Sequence, residues 1–508
     1  MAVMTVSSRI GSASLSVLCC AAVVAGLTAA TADGAPSAGE ATTPAWGNCD
    51  DFVTDAFLPS AECITVPVAI DDADPAGPKA QLAVIKIPAS GRRIGSLFIN
   101  PGGPGASAVD AVVNLADALD GSPVTEHFDL VGFDPRGVGH STPELRCRTD
   151  ADFDAWRRDP MVDFSPAGVA HIEGIYRTFA QQCLDRMGKA FLAGLGTASA
   201  AKDMDAVRQV IGDDQINYLG FSYGTQLGTA YVEKFPNRVR TMVLDGAIDP
   251  QRDPIESVVR QMGGFQLAFN DYAADCAKSP ACPLGTDPAQ WVNRYHQLVD
   301  PLVAKPGPAS DPRGLSYADA LTGTFNALYT PQYWKYLTSG LLGLARGTDA
   351  GDLLMLADDY NGRDDDGRYS NAQDAFNAIR CVDSPTPQDP AAWAAADQRT
   401  RQAAPFAAYG DFTGFAPRDV CAFWPVPATS VPQAAAPAPA GSVVVVSTTH
   451  DPATPYQAGV DLARQLRAPL ITYEGTQHTA VFDGDACVDD AVVAYLVDRV
   501  LPGSIRCS

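Results

Sequence analysis

A chain of 508 residues, 46% hydrophobic and 19% charged, is long enough to bury a large core and to hold more than one structural unit. Its net charge of −23 repels nucleic acid and anionic membrane surfaces, so neither is expected as a partner. Twelve cysteines with no Cys-x-x-Cys pair speak against a zinc site, and no metal or cofactor is expected.

Residues 1–32 read as a signal peptide. Arg9 supplies positive charge, Val17 to Ala30 is almost wholly apolar, and Ala30-Thr31-Ala32 offers small residues for cleavage. The apolar run is shorter than the roughly 20 residues that a spanning helix needs. The expectation is a secreted, extracellular or cell-wall-associated protein with no membrane attachment after processing. Cys19 and Cys20 fall inside the apolar run, not after the cleavage site, which argues against a lipid-modified start. The cysteines beyond it, Cys49 to Cys507, are even in number, as disulfides in an exported chain require. Pairing of neighbours along the chain is the expected connectivity.

The first strand candidates are Leu82 to Ile87 and Ser96 to Ile99. The second runs into Asn100-Pro101-Gly102-Gly103-Pro104-Gly105. Glycines let a backbone approach a ligand, and prolines stiffen the loop. A stiff loop can hold N–H donors ready for an oxyanion, and Gly103 is expected to supply one. Phe128 to Phe133 is the next strand, followed by Asp134-Pro135-Arg136-Gly137-Val138-Gly139, where Arg136 reads as a brace between loops. Ala200 to Ile211 reads as a helix.

Ile216 to Gly220 is a strand that enters Gly220-Phe221-Ser222-Tyr223-Gly224, with a helix start at Thr225 to Ala230. With 44 glycines in the chain, the five-residue pattern alone could be an ordinary turn. Between a strand and a helix it is the signature of a nucleophile elbow, a sharp turn that lifts a serine hydroxyl clear of the sheet. Ser222 is the expected nucleophile, and the Tyr223 N–H the second oxyanion donor.

Thr241 to Leu244 is a further strand, ending at Asp245. The strand pattern then stops until Ser442. Helix-like stretches such as Pro254 to Ala274 and Pro288 to Val303 fill the interval. Residues 248–440 are expected to form a helical cap and its Pro/Ala-rich return linker, between core segments 33–247 and 441–508. Gly362 to Gly367 is a charged, solvated loop.

Ser442 to Ser447 holds the continuous β-branched run Val443 to Val446, as in a strand buried on both faces. It leads to His450-Asp451-Pro452. Asp451 is the expected partner of the catalytic base; the plain alternative is an Asx turn before proline, which is common. Asp245 is the rival acid. Asp451 is preferred because it lies on the strand before the loop that carries His478. His450, next to it, should point the other way. Pro469 to Tyr473 is the last strand, and His478 follows it where open α/β sheets place their ligands. His478 is therefore the expected base, and His296 in a helical stretch is read as a surface or packing residue. Strands alternating with helices give an α/β class with a mostly parallel, doubly wound sheet.

Four blocks, Asn100 to Gly105, Asp134 to Gly139, Gly220 to Thr225 and Asp451 to Pro455, resemble those of the secreted bacterial tripeptidyl aminopeptidases. These group with the prolyl aminopeptidases among the α/β-hydrolases. The resemblance spans roughly residues 80 to 500 and implies an α/β-hydrolase fold with an inserted cap. It also implies a serine exopeptidase that releases short peptides, tripeptides above all, from substrates with free N-termini. Pro101 stands where prolyl aminopeptidases usually carry His, which favours the tripeptidyl branch, and Thr479 follows His478 where Gly is often found. A buried substrate ammonium needs a carboxylate. Ala378 to Asp383 resembles a family segment, so Asp383 is the expected anchor, with Asp358 and Asp359 next in line. Its plain alternative is a surface acid beside a disulfide. A carboxylesterase or a single-residue aminopeptidase with the same triad, and a non-catalytic extracellular binding protein on the same fold, remain open.

Overall fold

The computed structural model describes residues 45–52 and 60–508. The proposed signal peptide lies outside the described residues. Nine strands form one sheet: β1 (Glu62–Ala69), β2 (Lys79–Ile87), β3 (Gly95–Asn100), β4 (Phe128–Phe133), β5 (Ile216–Phe221), β6 (Val239–Asp245), β7 (Val443–Thr448), β8 (Leu470–Tyr473) and β9 (Ile505–Cys507). Their order is β1-β2-β4-β3-β5-β6-β7-β8-β9. β1, β2 and β4 pair antiparallel, and every pairing from β4 through β3 to β9 is parallel.

The all-apolar strands are explained by burial on both faces. Val443 and Val445 join the core on one side of the sheet with Leu82, Phe98, Tyr218 and Met242. Val444 and Val446 join the core on the other side with Ile85, Leu97, Leu219 and Val243. Alternate residues thus serve opposite layers, as the period of a strand demands.

All seven strands expected from the sequence are present, with ends shifted by a few residues at most. The two edge strands are additional. β1 carries Pro67, which lowers its strand signal, and an edge is where a sheet tolerates proline. β9 has only three residues and no periodicity to read. The long helix Pro166–Met187 also went unmarked, because its buried stripe is thin: Gly168, Ile172, Phe179, Ala180 and Cys183. The expected helix at Ala200 to Ile211 begins earlier, at Thr197.

Among the described residues, no strand joins the sheet between Asp245 and Val443. The interval is helical, with Pro254–Cys276, Tyr317–Leu328, Gly351–Asn361 and Ala372–Asp383 among its helices. Asp253 caps the first of these by accepting the Glu256 N–H, with Pro254 in its first turn. Phe265, Phe269, Tyr272, Tyr295 and Phe406 build a third core within this interval, and Ala453 of the β7 loop packs into it. Five disulfides join Cys49–Cys63, Cys147–Cys183, Cys276–Cys282, Cys381–Cys421 and Cys487–Cys507, the neighbour pairing read from the sequence.

Candidate active site

Ser222, Asp451 and His478 lie in loops that leave the carboxyl ends of β5, β7 and β8, and the Asn100 to Gly105 loop leaves the same end of β3. Parallel pairing brings these four ends to one rim of the sheet. Ser222 has φ 55 and ψ −121, a strained conformation for a residue with a side chain. Its N–H donates to the Asp245 carbonyl at 2.8 Å, and its carbonyl accepts from the Thr225 N–H at 2.9 Å and hydroxyl at 2.7 Å. The two glycines of the elbow are required by close approach. A Cβ on Gly220 would lie 2.5 Å from the Gly224 carbonyl oxygen, and one on Gly224 would lie 2.7 Å from that of Asn100.

His478 and Asp451 are brought together. His478 Nδ1 is 2.9 and 3.0 Å from the two Asp451 oxygens, and the carboxylate is fully buried. With a proton on Nδ1 facing that carboxylate, Nε2 is left as an acceptor. Asp451 also accepts the N–H groups of Ala453 and Thr454 at 2.9 and 2.8 Å and the Thr454 hydroxyl at 3.0 Å. The Asx turn and the pairing with histidine therefore coexist, and the turn fixes the carboxylate. Thr479 takes φ 70, a left-handed conformation that explains why glycine suits this position.

Asp245 does not reach the imidazole. Its Oδ2 accepts the N–H groups of Ala480 and Val481 at 2.7 and 2.8 Å. Burial pushes its carboxyl up to about 7, against the pull of these two amides. His450 pairs with Asp271 at 2.7 Å, and His296 pairs with Asp300, so neither competes for Asp451.

Gly103 and Tyr223 line the same cavity as Ser222 and His478, a space of about 1230 Å³. Tyr223 is the first residue of its helix, where backbone N–H groups have no intrahelical acceptor. Asp134 holds the far side of the Asn100 to Gly105 loop by accepting the N–H groups of Ala108 and Val109 at the start of the next helix. Burial lifts its carboxyl to about 6. Arg136 is buried in a bidentate pair with Asp203, at 2.8 and 2.7 Å, and donates to the Ile70 carbonyl, so it braces loops as expected.

Helices between β6 and β7 supply the other wall of the cavity, with Phe265, Tyr329, Tyr360 and Asp383. The Tyr329 carbonyl accepts the His478 N–H at 2.8 Å, and its ring meets the imidazole edge-on at 5.3 Å. Asp383 is buried, not a surface acid. Its oxygens accept the Thr197 N–H at 2.7 Å and hydroxyl at 2.5 Å. Gln226 donates to it weakly at 3.4 Å. Helix Thr197–Ile211 starts after Gly196 with no side-chain cap of its own, and Asp383 provides one from a distant segment. The Tyr223 hydroxyl lies 2.6 Å from that of Thr197, which links the elbow to this carboxylate. Among the described residues Asp383 has no ion-pair partner, and burial pushes its carboxyl up to about 6. Asp358 is held between Arg157 and Arg313, at 2.6 Å from each. Asp359 accepts from Asn326. Sequence reasoning missed Thr197, Thr454 and Tyr329. Only the first left a signal, a helix start without a capping side chain.

Comparison with known proteins sets this geometry in a family. The α/β-hydrolase-fold profile matches residues 95–485. The chain belongs to the α/β-hydrolase family. Within it, the chain is 67% identical over 465 residues to Carboxylesterase B of Mycobacterium tuberculosis, covering 91% of this chain and 89% of that protein. It is 53% identical over 468 residues to serine protease Hip1 of the same species, covering 90% and 89%. Tripeptidyl aminopeptidase of Streptomyces coelicolor is 30% identical over 461 residues, covering 88% and 83%. This α/β-hydrolase is thus a serine hydrolase with esterase and peptidase relatives. No helix among the described residues is long and apolar enough to cross a membrane.

Proposed function

We propose that this serine hydrolase is an exported exopeptidase that releases short peptides, tripeptides above all, from free N-termini. The observation that carries this reading is the placement of Asp383. It is a buried carboxylate without a cation, in the wall of the cavity that Ser222 and His478 also line. A substrate ammonium would supply the missing charge. In this mechanism Ser222 Oγ attacks the scissile carbonyl, and His478 Nε2 takes the proton and returns it to the leaving amine. Asp451 orients the imidazole and stabilises its charged form, and the Gly103 and Tyr223 N–H groups receive the oxyanion. The helical interval, residues 248–440, acts as a cap that stops long chains from passing through. The five disulfides favour an oxidising, extracellular setting.

A second reading is a carboxylesterase with the same triad, favoured by the 67% identity to a protein of that name. A panel of chromogenic mono-, di- and tripeptides with free and blocked amines, set beside simple esters, separates the two. The exopeptidase reading expects the highest kcat/KM on free-amine tripeptides. Rapid ester turnover with no peptide cleavage would overturn it.

A further inference from the structure

The loop that carries His478 is held by its backbone amides. Five successive N–H groups each find an acceptor. His478 donates to the Tyr329 carbonyl at 2.8 Å, and Thr479 donates weakly to Asp451 at 3.5 Å. Ala480 and Val481 donate to Asp245, and Phe482 donates to Asp489 at 2.6 Å. The loop needs this support, because Thr479 and Phe482 both take left-handed conformations, at φ 70 and 63. Each such residue is strained and persists only where its surroundings over-determine it.

Asp245 occupies a special place in this arrangement. Its main-chain carbonyl accepts the Ser222 N–H at 2.8 Å, while its side chain accepts the two amides of the histidine loop. One residue therefore grips the nucleophile elbow by its backbone and the base-bearing loop by its carboxyl. The other carboxyl oxygen, Oδ1, is buried with no hydrogen-bond partner among the described residues. A buried acid with one idle oxygen is costly to keep, unless the bonds made by the other oxygen are needed.

We infer that Asp245 is a positioning residue: it ties the Ser222 elbow to the His478 loop and so sets the nucleophile and base in register. It acts through Ala480 and Val481, not by touching the imidazole, so it is distinct from the acid of the triad. What the role requires is an acceptor oxygen at this point. The inference rests on His478 being the base.

The test compares Asp245→Asn, which keeps an acceptor oxygen, with Asp245→Ala, which leaves two buried amides without one. Turnover is normalised to the folded fraction measured by circular dichroism. Asp245→Ala is expected to lose about 100-fold in kcat with KM changed less than about threefold, as expected for a misplaced base. Asp245→Asn is expected to keep at least about a third of kcat. Asp245→Ser, whose hydroxyl is too short to reach both amides, is read alongside in case the alanine variant does not fold, with the same loss expected. Wild-type kcat per folded molecule in the alanine or serine variant would overturn the inference. So would an asparagine variant as damaged as they are, since the charge and not the acceptor would then matter. His478→Ala is the separate control: retained activity there would sink the assignment of the base itself.

Discussion

Gly102 and Ser222 pack so closely that a Cβ on the glycine would lie 2.9 Å from the serine Cβ and 2.5 Å from the Phe221 carbonyl oxygen. Gly102 also has φ 96, where a side chain is strained whatever the space. The Asn100 to Gly105 loop, proposed to hold the oxyanion, and the Ser222 turn are therefore one packed unit. Gly102→Ala should push them apart and misalign the Gly103 donor with the attacking hydroxyl. Losing one well-placed oxyanion donor costs about 10²- to 10³-fold in kcat. A loss of this order is expected, with a folded protein by circular dichroism. An alanine variant with wild-type kcat would show that the loop can retreat without consequence.

Ser222→Ala should fold normally and lose turnover by about 10⁴-fold or more, because no other group can form the acyl-enzyme. A serine-directed organophosphate should label the wild type at Ser222, as read by mass spectrometry of the labelled peptide. Label on another residue, or a mutant that keeps most activity, would remove the acyl-enzyme mechanism.

Asp451→Asn should lose far more activity than Asp245→Asn. Of these two carboxylates, only Asp451 lies against His478 Nδ1, at 2.9 Å, and an amide there can hold the wrong tautomer. Losses of about 10⁴-fold are expected for Asp451→Asn. The reverse ranking of the two variants would contradict this arrangement.

Most of the sheet was legible because its central strands are apolar on both faces, as in Val443 to Val446, and are punctuated by glycine-rich loops. The site was legible for the same reason. Strained turns at Gly102 and Ser222 accept few residue types, so they leave a local signature. Relations across the chain were not legible. Nothing near Asp245 announces that its partners are Ala480 and Val481. Nothing near Asp383 announces that it caps a helix at Thr197. The first contact depends on how the strand ends assemble at one rim of the sheet, and the second on how the helical interval folds back on the core; local pattern encodes neither.

The buried carboxyls that titrate high include Asp134 and Asp383 at about 6 and Asp245 at about 7, each mainly through burial. An unfolded aspartate titrates near 3.9. The folded state thus binds these protons more tightly than the unfolded chain. Their contribution to stability is complete below about pH 4 and is lost as pH rises through about 6 to 7. Glu173 works the other way. The Arg418 guanidinium holds it down to about 2, so its contribution is present above about pH 4 and is lost only in strong acid. The melting temperature should therefore fall between pH 5 and pH 8, and Asp245→Asn should flatten that fall. A slope unchanged in both Asp245→Asn and Asp383→Asn would mean that these carboxyls are not buried as described.

The exopeptidase reading depends on a charge at Asp383 meeting a charge on the substrate. An N-acetylated tripeptide loses the ammonium and leaves the carboxylate unpaired. It should be cleaved roughly 10- to 100-fold more slowly than the free amine, the range for a lost charged hydrogen bond. Asp383→Asn should shrink that preference. The pH dependence follows from the raised pKa of about 6. Below about pH 6 the carboxyl takes up a proton and can no longer attract a cation, so the preference for the free amine should fade. Taking the ratio of the two substrates at each pH cancels any effect of pH on the steps that both share. Equal rates on free and acetylated peptides across the range would sink the aminopeptidase reading and favour the esterase. A preference that survives in Asp383→Asn and does not fade in acid would sink only the choice of anchor.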